Sequence, residues 1–153
     1  MQTIINSQEE MEQVMRDYFA QLPLRQIGSF NIMMAPELRE CSYAEKSLTL
    51  AFHIQPWMVN PNGGLHGGIA GAAMDIVMGI LAFCYCGGVM SPTVSMTMDY
   101  LRTITPSHTL ITKAYCTKVG KAFCRFTASA WDEEKPGKLI FTSTGTYYNA
   151  SNA

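Results

Sequence analysis

Hydrophobic residues repeat with two different periods along the chain, and the change of period divides the sequence into predicted elements. In residues 46–54, K-S-L-T-L-A-F-H-I, large apolar side chains occupy every second position, which is typical of a strand with one buried face. Residues 7–21 instead carry apolar side chains at helical spacing, and Ser7 with Glu10 three residues later resembles a capping box. We expect Leu22-Pro23 to end this short N-terminal helix.

The rest of the chain is predicted to contain strands and one long apolar helix. The segment N-P-N-G-G at 60–64 is dense in turn residues; a helix begins near His66 and runs to about Cys86, where two glycines stop it. An apolar sheet face needs a cover, so we expect an α+β fold with a curved antiparallel sheet wrapped around one long central helix, built as a single domain over residues 1–153. The other strands are predicted at residues 30–36, 37–43, 93–101, 109–119, 122–132 and 139–148.

Composition narrows the range of partners. The 153 residues are 48% hydrophobic and only 15% charged, which favours extra buried surface such as a subunit interface. The net charge is -1, and no basic block is present, so we expect no nucleic-acid partner. Four basic residues are spread thinly over two predicted strands and are interpreted as a solvated surface: Lys113, Lys118, Lys121 and Arg125.

The cysteines and the N-terminus indicate a compartment. Five cysteines, an odd number without paired spacing, argue against a disulfide framework, and Cys84-Tyr85-Cys86 lacks a second pair of metal ligands nearby. We interpret all five as buried thiols, and we expect a cytoplasmic protein with no metal and no cofactor. Residues 69–86 are nearly all apolar and about as long as a membrane span, but Asp75 and the lack of flanking Lys or Arg favour a helix buried in a soluble protein.

Asp75 is the only ionised side chain between His53 and Asp99, in the most apolar segment of the sequence. Burying a carboxylate among apolar residues is unfavourable unless it has a partner or a role. His66 lies nine residues before Asp75. On a straight helix that places the two residues about 13 Å apart along the axis and on opposite faces. If both serve one site, they come from different subunits, as in a two-fold dimer with two identical sites.

The residue types near the predicted helix start indicate acyl transfer to water. The first N–H groups of a helix lack partners within the helix, and glycines at 67 and 68 would let a substrate carbonyl approach them. Asp75 is then a candidate base or nucleophile, and the Asn60 amide could hold a water or the substrate. Simpler roles stay open: His66 as a helix cap, Asn60 as a turn residue, Asp75 as a hydrogen-bonded structural acid and Ser95 as an ordinary strand residue.

The segment N-P-N-G-G-L-H-G-G-I-A-G-A-A-M-D, which begins at Asn60, resembles the signature of hotdog-fold acyl-CoA thioesterases of the PaaI-like, phenylacetate-pathway type. That signature has an Asn, a His-Gly-Gly six residues later and an acid nine residues after the His, and all three spacings hold here. The stretches S-M-T-M-D-Y-L-R and V-G-K-A-F also resemble this family, so the likeness covers roughly residues 30–148.

The resemblance implies a hotdog fold, homodimers with a shared extended sheet, and often homotetramers built as pairs of dimers. It implies that Asp75 is the catalytic general base or nucleophile and that the Gly67 N–H polarises the thioester carbonyl, with His66 supporting that geometry. It further implies that Asn60 orients the water or the acyl group, and that Ser95 matches a strand serine that positions the water in some members.

Two features depart from the family pattern. The chain continues from Asp75 as I-V-M-G-I, where many relatives have a more polar turn. The basic residues that usually bind the CoA phosphates are not clearly present, and Arg102, Lys118 and Lys121 are the candidates.

The leading hypothesis is hydrolysis of an acyl- or aryl-CoA thioester; the second is a non-catalytic acyl-CoA-binding module that acts as a ligand sensor. Hydration or dehydration of an acyl thioester ranks lower. The acyl group, the nucleophilic or general-base role of Asp75 and the tetramer arrangement stay open.

Overall fold

A computed structural model describes residues 5–25 and 28–152 of the chain. In this part the chain forms a six-stranded antiparallel sheet and three α-helices, with short 3-10 turns at Pro56–Met58 and Ala150–Asn152. The fold is therefore α+β with one long central helix, as the hydrophobic pattern predicts. The helices are α1 (Gln8–Arg25), α2 (Phe30–Met34) and α3 (Gly67–Tyr85); the strands are β1 (Glu37–Ser42), β2 (Ser47–His53), β3 (Thr93–Tyr100), β4 (Thr109–Val119), β5 (Phe123–Asp132) and β6 (Leu139–Tyr148).

The strand order β1-β2-β4-β5-β6-β3 places β1 and β3 at the two edges of the sheet. Every neighbouring pair is antiparallel. Alternate residues of β5 and β6 are buried, including Phe126, Ser143 and Tyr147, because these side chains face the layer occupied by α3. In contrast, most residues of β3 are exposed, which leaves this edge strand open on one side.

The long helix α3 fills the concave side of the sheet, and most of its residues are fully buried. By length and composition α3 could cross a membrane, with a mean hydropathy of 1.8, yet 67% of the segment is buried inside the structure. A core helix of a soluble protein has the same composition, because it too is surrounded by apolar side chains.

The structure corrects two predicted elements near the N-terminus. Residues 30–36, predicted as a strand, instead contain the short helix α2, which ends when Ala35 adopts a left-handed conformation (φ 45°) and donates its N–H to Ile32. The first helix was predicted to end at residue 21, but α1 continues through Pro23 to Arg25. A proline in the last turn removes one backbone hydrogen bond and leaves the preceding turns intact, so the helix does not have to stop there. The predicted cap is present, because the Glu10 N–H donates to Ser7 Oγ at 3.2 Å.

The cysteines are free thiols, as expected, but not all are buried. Cys41 is only half-buried, because it lies on the edge strand β1, whereas the other four are enclosed. Cys86 and Cys124 approach each other with 3.5 Å between their sulfur atoms. Burial raises the pKa of Cys84 to about 12 and that of Cys124 to about 12, so these two groups remain thiols at neutral pH.

Candidate functional site

The loop that precedes α3 is closed by hydrogen bonds of its own residues. Asn60 Oδ1 accepts from the backbone N–H groups of Asn62 (2.9 Å) and Gly64 (3.3 Å), and the Asn60 N–H donates to the Gly64 carbonyl. The His66 N–H donates to the carbonyl of Met58 at 2.8 Å, which fixes the residue at which α3 can begin. The Asn60 side-chain oxygen is therefore used to shape the turn, and its amide nitrogen is the end that could meet a substrate.

His66 caps the N-terminus of α3 through its imidazole. Its Nδ1 accepts from the Gly68 N–H at 3.0 Å, which places the proton of the neutral ring on Nε2. Within the described residues, no hydrogen bond occupies the Gly67 N–H. The cap thus leaves Gly67 with a free backbone donor at the positive end of the helix dipole, next to the exposed His66 ring.

Tyr100 at the end of β3 lies directly against Gly67. Its hydroxyl donates to the Gly67 carbonyl at 3.1 Å, and a Cβ on residue 67 would lie 3.3 Å from the Tyr100 ring. That is tighter than an ordinary van der Waals contact, so glycine suits this close approach of strand and helix.

Asp75 lies two turns further along α3 and is half-buried. Its Oδ1 accepts two hydroxyl hydrogen bonds, from Thr93 Oγ1 at 2.8 Å and from the Tyr147 OH at 2.7 Å. Both donors bind the same oxygen, and no described residue donates to Oδ2. The carboxylate is therefore held in one orientation while one of its oxygens stays available.

Tyr147 is a permanent donor to Asp75. Its ring is 1% exposed and packs edge-on against Phe126, with 5.4 Å between the ring centroids. Burial, together with the negative charge of Asp75 and the hydrogen bond to it, raises the pKa of the Tyr147 hydroxyl far above its usual range. The hydroxyl consequently keeps its proton throughout the pH range in which enzymes are assayed.

A cavity of about 210 Å³ opens beside Asp75. Its wall combines α1, α2, α3 and the segment that leads into β3, so the N-terminal helices help to close it. The lining includes Tyr18, Asn31, Asp75, Ile80, Met90 and Thr93. A space of this size, apolar with a few polar groups, suits a small acyl or aryl group.

The structure brings together only part of the predicted site within one chain. Asn60, His66 and Gly67 meet at the start of α3, whereas the cavity beside Asp75 is lined by none of these three. Ser95 lies on β3, is exposed and makes no recorded hydrogen bond with Asp75.

Two residues that contact Asp75 were missed in the sequence. Thr93 lies 18 residues after Asp75 and Tyr147 lies 72 residues after it, so neither belongs to the local motif. A signal for Tyr147 did exist, because the alternation in β6 places it on the sheet face that packs against α3. The register irregularity between Thr93 and Ser95 has no sequence signal of this kind.

The basic residues near the site are few. Arg102 donates to the carbonyl of Leu139, and Lys113 pairs with Glu45 at 2.9 Å, which raises the pKa of Lys113. Lys118 is exposed, and no lysine or arginine lies among the described residues that line the cavity beside Asp75.

A family model matches nearly half of the chain. Residues 62–137 match the model described as the thioesterase superfamily. Over these residues the chain is similar to that superfamily. The matched region includes His66, Gly67 and Asp75, whereas Asn60 lies two residues before the first matched residue. Among curated proteins, no relative matches the chain.

Solved structures agree on the fold. A phenylacetic acid degradation-related protein from Ralstonia eutropha has 22% identity and a TM-score of 0.71, over 86% of this chain and 98% of that protein. The Escherichia coli PaaI protein has 14% identity and a TM-score of 0.76, over 92% and 93%. A hypothetical thioesterase from Streptococcus pneumoniae, solved with coenzyme A, has 18% identity and a TM-score of 0.66, over 74% and 86%. At these identities the likeness establishes the hotdog fold, which confirms the fold expected from the sequence.

Proposed function

We propose that this protein hydrolyses an acyl- or aryl-CoA thioester to the free acid and CoA. The observation that carries the proposal is the state of Asp75, whose carboxylate is oriented through Oδ1 and has Oδ2 available beside a cavity of about 210 Å³. A positioned carboxylate with a free oxygen can take a proton from water or attack the thioester carbonyl itself. The hypothetical thioesterase from Streptococcus pneumoniae, solved with coenzyme A, supports this ligand class.

The free Gly67 N–H is the proposed oxyanion donor. In the reaction, negative charge develops on the thioester oxygen, and an unpaired backbone N–H at a helix N-terminus stabilises that charge. His66 holds this geometry by occupying the Gly68 N–H, so that only the Gly67 donor faces outward. The Asn60 amide nitrogen would orient the water or the acyl group from the same loop.

The proposed site is shared between two copies of the chain. Gly67 and Asp75 are eight residues apart on one helix, about 12 Å along the axis, which is too far for one thioester group to meet both. A two-fold dimer that joins the open β3 edges would extend the sheet and bring Gly67 of one copy toward Asp75 of the other. We propose this homodimer, further pairing into a homotetramer, as a cytoplasmic assembly; the free thiols fit a reducing compartment.

Thr93 is the proposed β3 residue that assists Asp75. It already donates to Asp75 Oδ1, whereas Ser95, the residue expected from the sequence, points to no partner in the described chain. Ser95 keeps its predicted water-positioning role only if its substitution proves to matter as much as that of Thr93.

The alternative is a module that binds acyl-CoA without turnover. It would use the same cavity and would not need an activated carboxylate. The two functions are separated by measuring thiol release from a panel of short, long and aromatic acyl-CoAs with the wild type and Asp75→Asn. We expect turnover in the wild type and a loss of several orders of magnitude in Asp75→Asn.

The matched control is Asp99→Asn on β3, where the carboxylate is exposed and, among the described residues, accepts a hydrogen bond only from Thr142. Asp99→Asn should retain wild-type turnover, which excludes a general effect of removing a negative charge near the site. Binding of acyl-CoA by calorimetry without any thiol release in the wild type would instead establish the binding module. Equal turnover in the wild type and Asp75→Asn would place the chemistry on another residue.

A further inference from the structure

A second cluster of chemically active side chains lies where β4 begins and β5 ends, at the opposite end of the strands from the contact between Thr93 and Asp75. His108 Nδ1 lies 2.8 Å from Asp132 Oδ2 and 3.8 Å from Glu134 Oε2. The three potential ligand atoms all lie within 4.8 Å of one another. These residues are separated by up to 26 positions in the sequence, so their spacing does not match a local metal-binding motif and does not predict the cluster.

No lysine or arginine in the described part of the chain forms an ion pair with this cluster, although Arg102, Lys135 and Lys138 line the same small cavity as Asp132. Asp132 has a side chain only 7% exposed, and its other oxygen, Oδ1, accepts the Glu134 N–H at 3.1 Å. Within the described residues, Glu134 has no ion pair other than the 3.8 Å contact with His108, and no lysine or arginine pairs with either carboxylate. The proton on Nδ1 can bond to only one carboxylate at a time, so a second negative charge faces the same nitrogen without a hydrogen bond to it.

The distances fit a divalent transition-metal ion in place of that proton. Metal–ligand bonds of about 2.0–2.2 Å to imidazole nitrogen and carboxylate oxygen place neighbouring ligands of a tetrahedral ion about 3.3 Å apart. The observed 2.8 Å and 3.8 Å lie on either side of this value, and exposed Glu134 can move to meet it. A cleft of about 270 Å³ borders His108, and Glu134 is exposed, so solvent water can reach the cluster and complete the coordination.

We propose that His108, Asp132 and Glu134 form a binding site for a divalent first-row transition metal, with Zn²⁺ as the best match. One imidazole with two carboxylates suits Zn²⁺ better than Mg²⁺ or Ca²⁺, which prefer oxygen ligands alone. The ion would tie the residue before β4 to the turn that follows β5. The site shares no residue with the proposed thioesterase site: none of its residues lines the cavity beside Asp75, and none is Asn60, His66 or Gly67.

The test is Zn²⁺ binding to the purified full chain, measured by competition with a chromophoric chelator and by thermal unfolding. Glu134→Gln removes one ligand from an exposed position and should leave the fold intact. Its matched control is Glu133→Gln, since Glu133 is an exposed neighbour that pairs with Arg39 at 3.2 Å. We expect one tightly bound Zn²⁺ in the wild type and in Glu133→Gln, and an affinity lower by about tenfold or more in Glu134→Gln and His108→Gln.

Bound Co²⁺ provides an independent readout of the ligands. Co²⁺ held by nitrogen and oxygen should show visible d–d absorption without the near-ultraviolet charge-transfer band of a cobalt–thiolate bond. Three results would overturn the proposal: no bound Zn²⁺ in the wild type, equal affinity in the wild type and Glu134→Gln, or a thiolate band that places the ion on the cysteines.

Discussion

At the scale of single residues, the orientation of Asp75 depends on two hydroxyl groups. Tyr147→Phe keeps the buried ring and removes the 2.7 Å hydrogen bond to Oδ1. A hydrogen bond to a charged group contributes about 1.5–3 kcal/mol, so we expect kcat to fall about tenfold to a hundredfold with little change in KM. Steady-state kinetics with an acyl-CoA substrate measures kcat and KM separately.

The neighbouring tyrosine provides the control for Tyr147→Phe. Tyr148 lies on the other face of β6, is 37% exposed and makes no contact with Asp75. Tyr148→Phe should therefore retain the wild-type kcat and the wild-type KM. If both variants behaved alike, the Tyr147 hydroxyl would be a structural contact and not a positioning group.

A second pair of substitutions compares the two hydroxyl residues at the start of β3. Thr93→Val keeps the shape of the side chain and removes the 2.8 Å hydrogen bond to Asp75. We expect Thr93→Val to lower kcat about tenfold, and Ser95→Ala, which removes an exposed hydroxyl, to change it little. Thiol-release kinetics would contradict this if Ser95→Ala lost more activity than Thr93→Val.

The contrast between Asp75 and its partners shows what can be predicted at the residue scale. Asp75 can be recognised as a candidate site residue from the sequence alone, because burying a carboxylate in an apolar segment is unfavourable unless it has a partner or a function. The helix cap formed by His66 could also be predicted, because His66 directly precedes Gly67 and Gly68 at the predicted start of the helix. Thr93 and Tyr147 reach Asp75 only through the strand register, and a shift of one residue would turn each of them to the other face of the sheet.

At the scale of elements, the close packing of β6 on α3 depends on a glycine, Gly145, which has no side chain between the two elements. A Cβ on Gly145 would lie 2.8 Å from the Tyr147 ring and 3.1 Å from the end of Met78. Since neither distance is an ordinary contact, Gly145→Ala should lower the free energy of unfolding by about 1–3 kcal/mol. Chemical denaturation, followed by circular dichroism, measures this loss.

A glycine on α3 gives the matched comparison. A Cβ on Gly71 would lie 3.8 Å from Met96, which is an ordinary contact, and alanine favours the helix by about 1 kcal/mol over glycine. Gly71→Ala should therefore leave the chain at least as stable as the wild type. If Gly145→Ala were as stable as the wild type, the Tyr147 ring would be able to move away from the new methyl group, and the close packing of β6 on α3 would not depend on Gly145.

The elements themselves were predictable to different degrees. The strands β4 and β6 have the bounds predicted for residues 109–119 and 139–148, because turn residues such as Gly120 and Lys135-Pro136-Gly137 separate the strands in the sequence. The sequence does not predict the short helix α2, since four of its five residues are apolar and five residues are too few to show a distinct period. Its end is set by Ala35 in a left-handed conformation, which is uncommon for a residue other than glycine.

At the scale of the whole molecule, the open edge strand β3 determines how copies of the chain can meet. This strand and the residues beside it expose large apolar side chains, including Val94 at 55% and Tyr100 at 56%. An unpaired strand with such a surface readily accepts a second strand. Pairing of two β3 strands would cover these residues and also bring together the two halves of the proposed catalytic site.

Introducing a charge at this edge tests both consequences at once. Val94→Lys would place a charged side chain on the edge that the dimer covers, where it would lose solvation. We therefore expect a folded monomer by analytical ultracentrifugation and a loss of thiol release of at least about a hundredfold. The activity should return at high protein concentration, because association is then restored by mass action. Val119→Lys is the matched control, since Val119 is 49% exposed but lies at the end of β4, away from the edge. A fully active Val94→Lys monomer would show that Gly67 and Asp75 need not come from different copies, and the catalytic site would then have to be assigned within one chain.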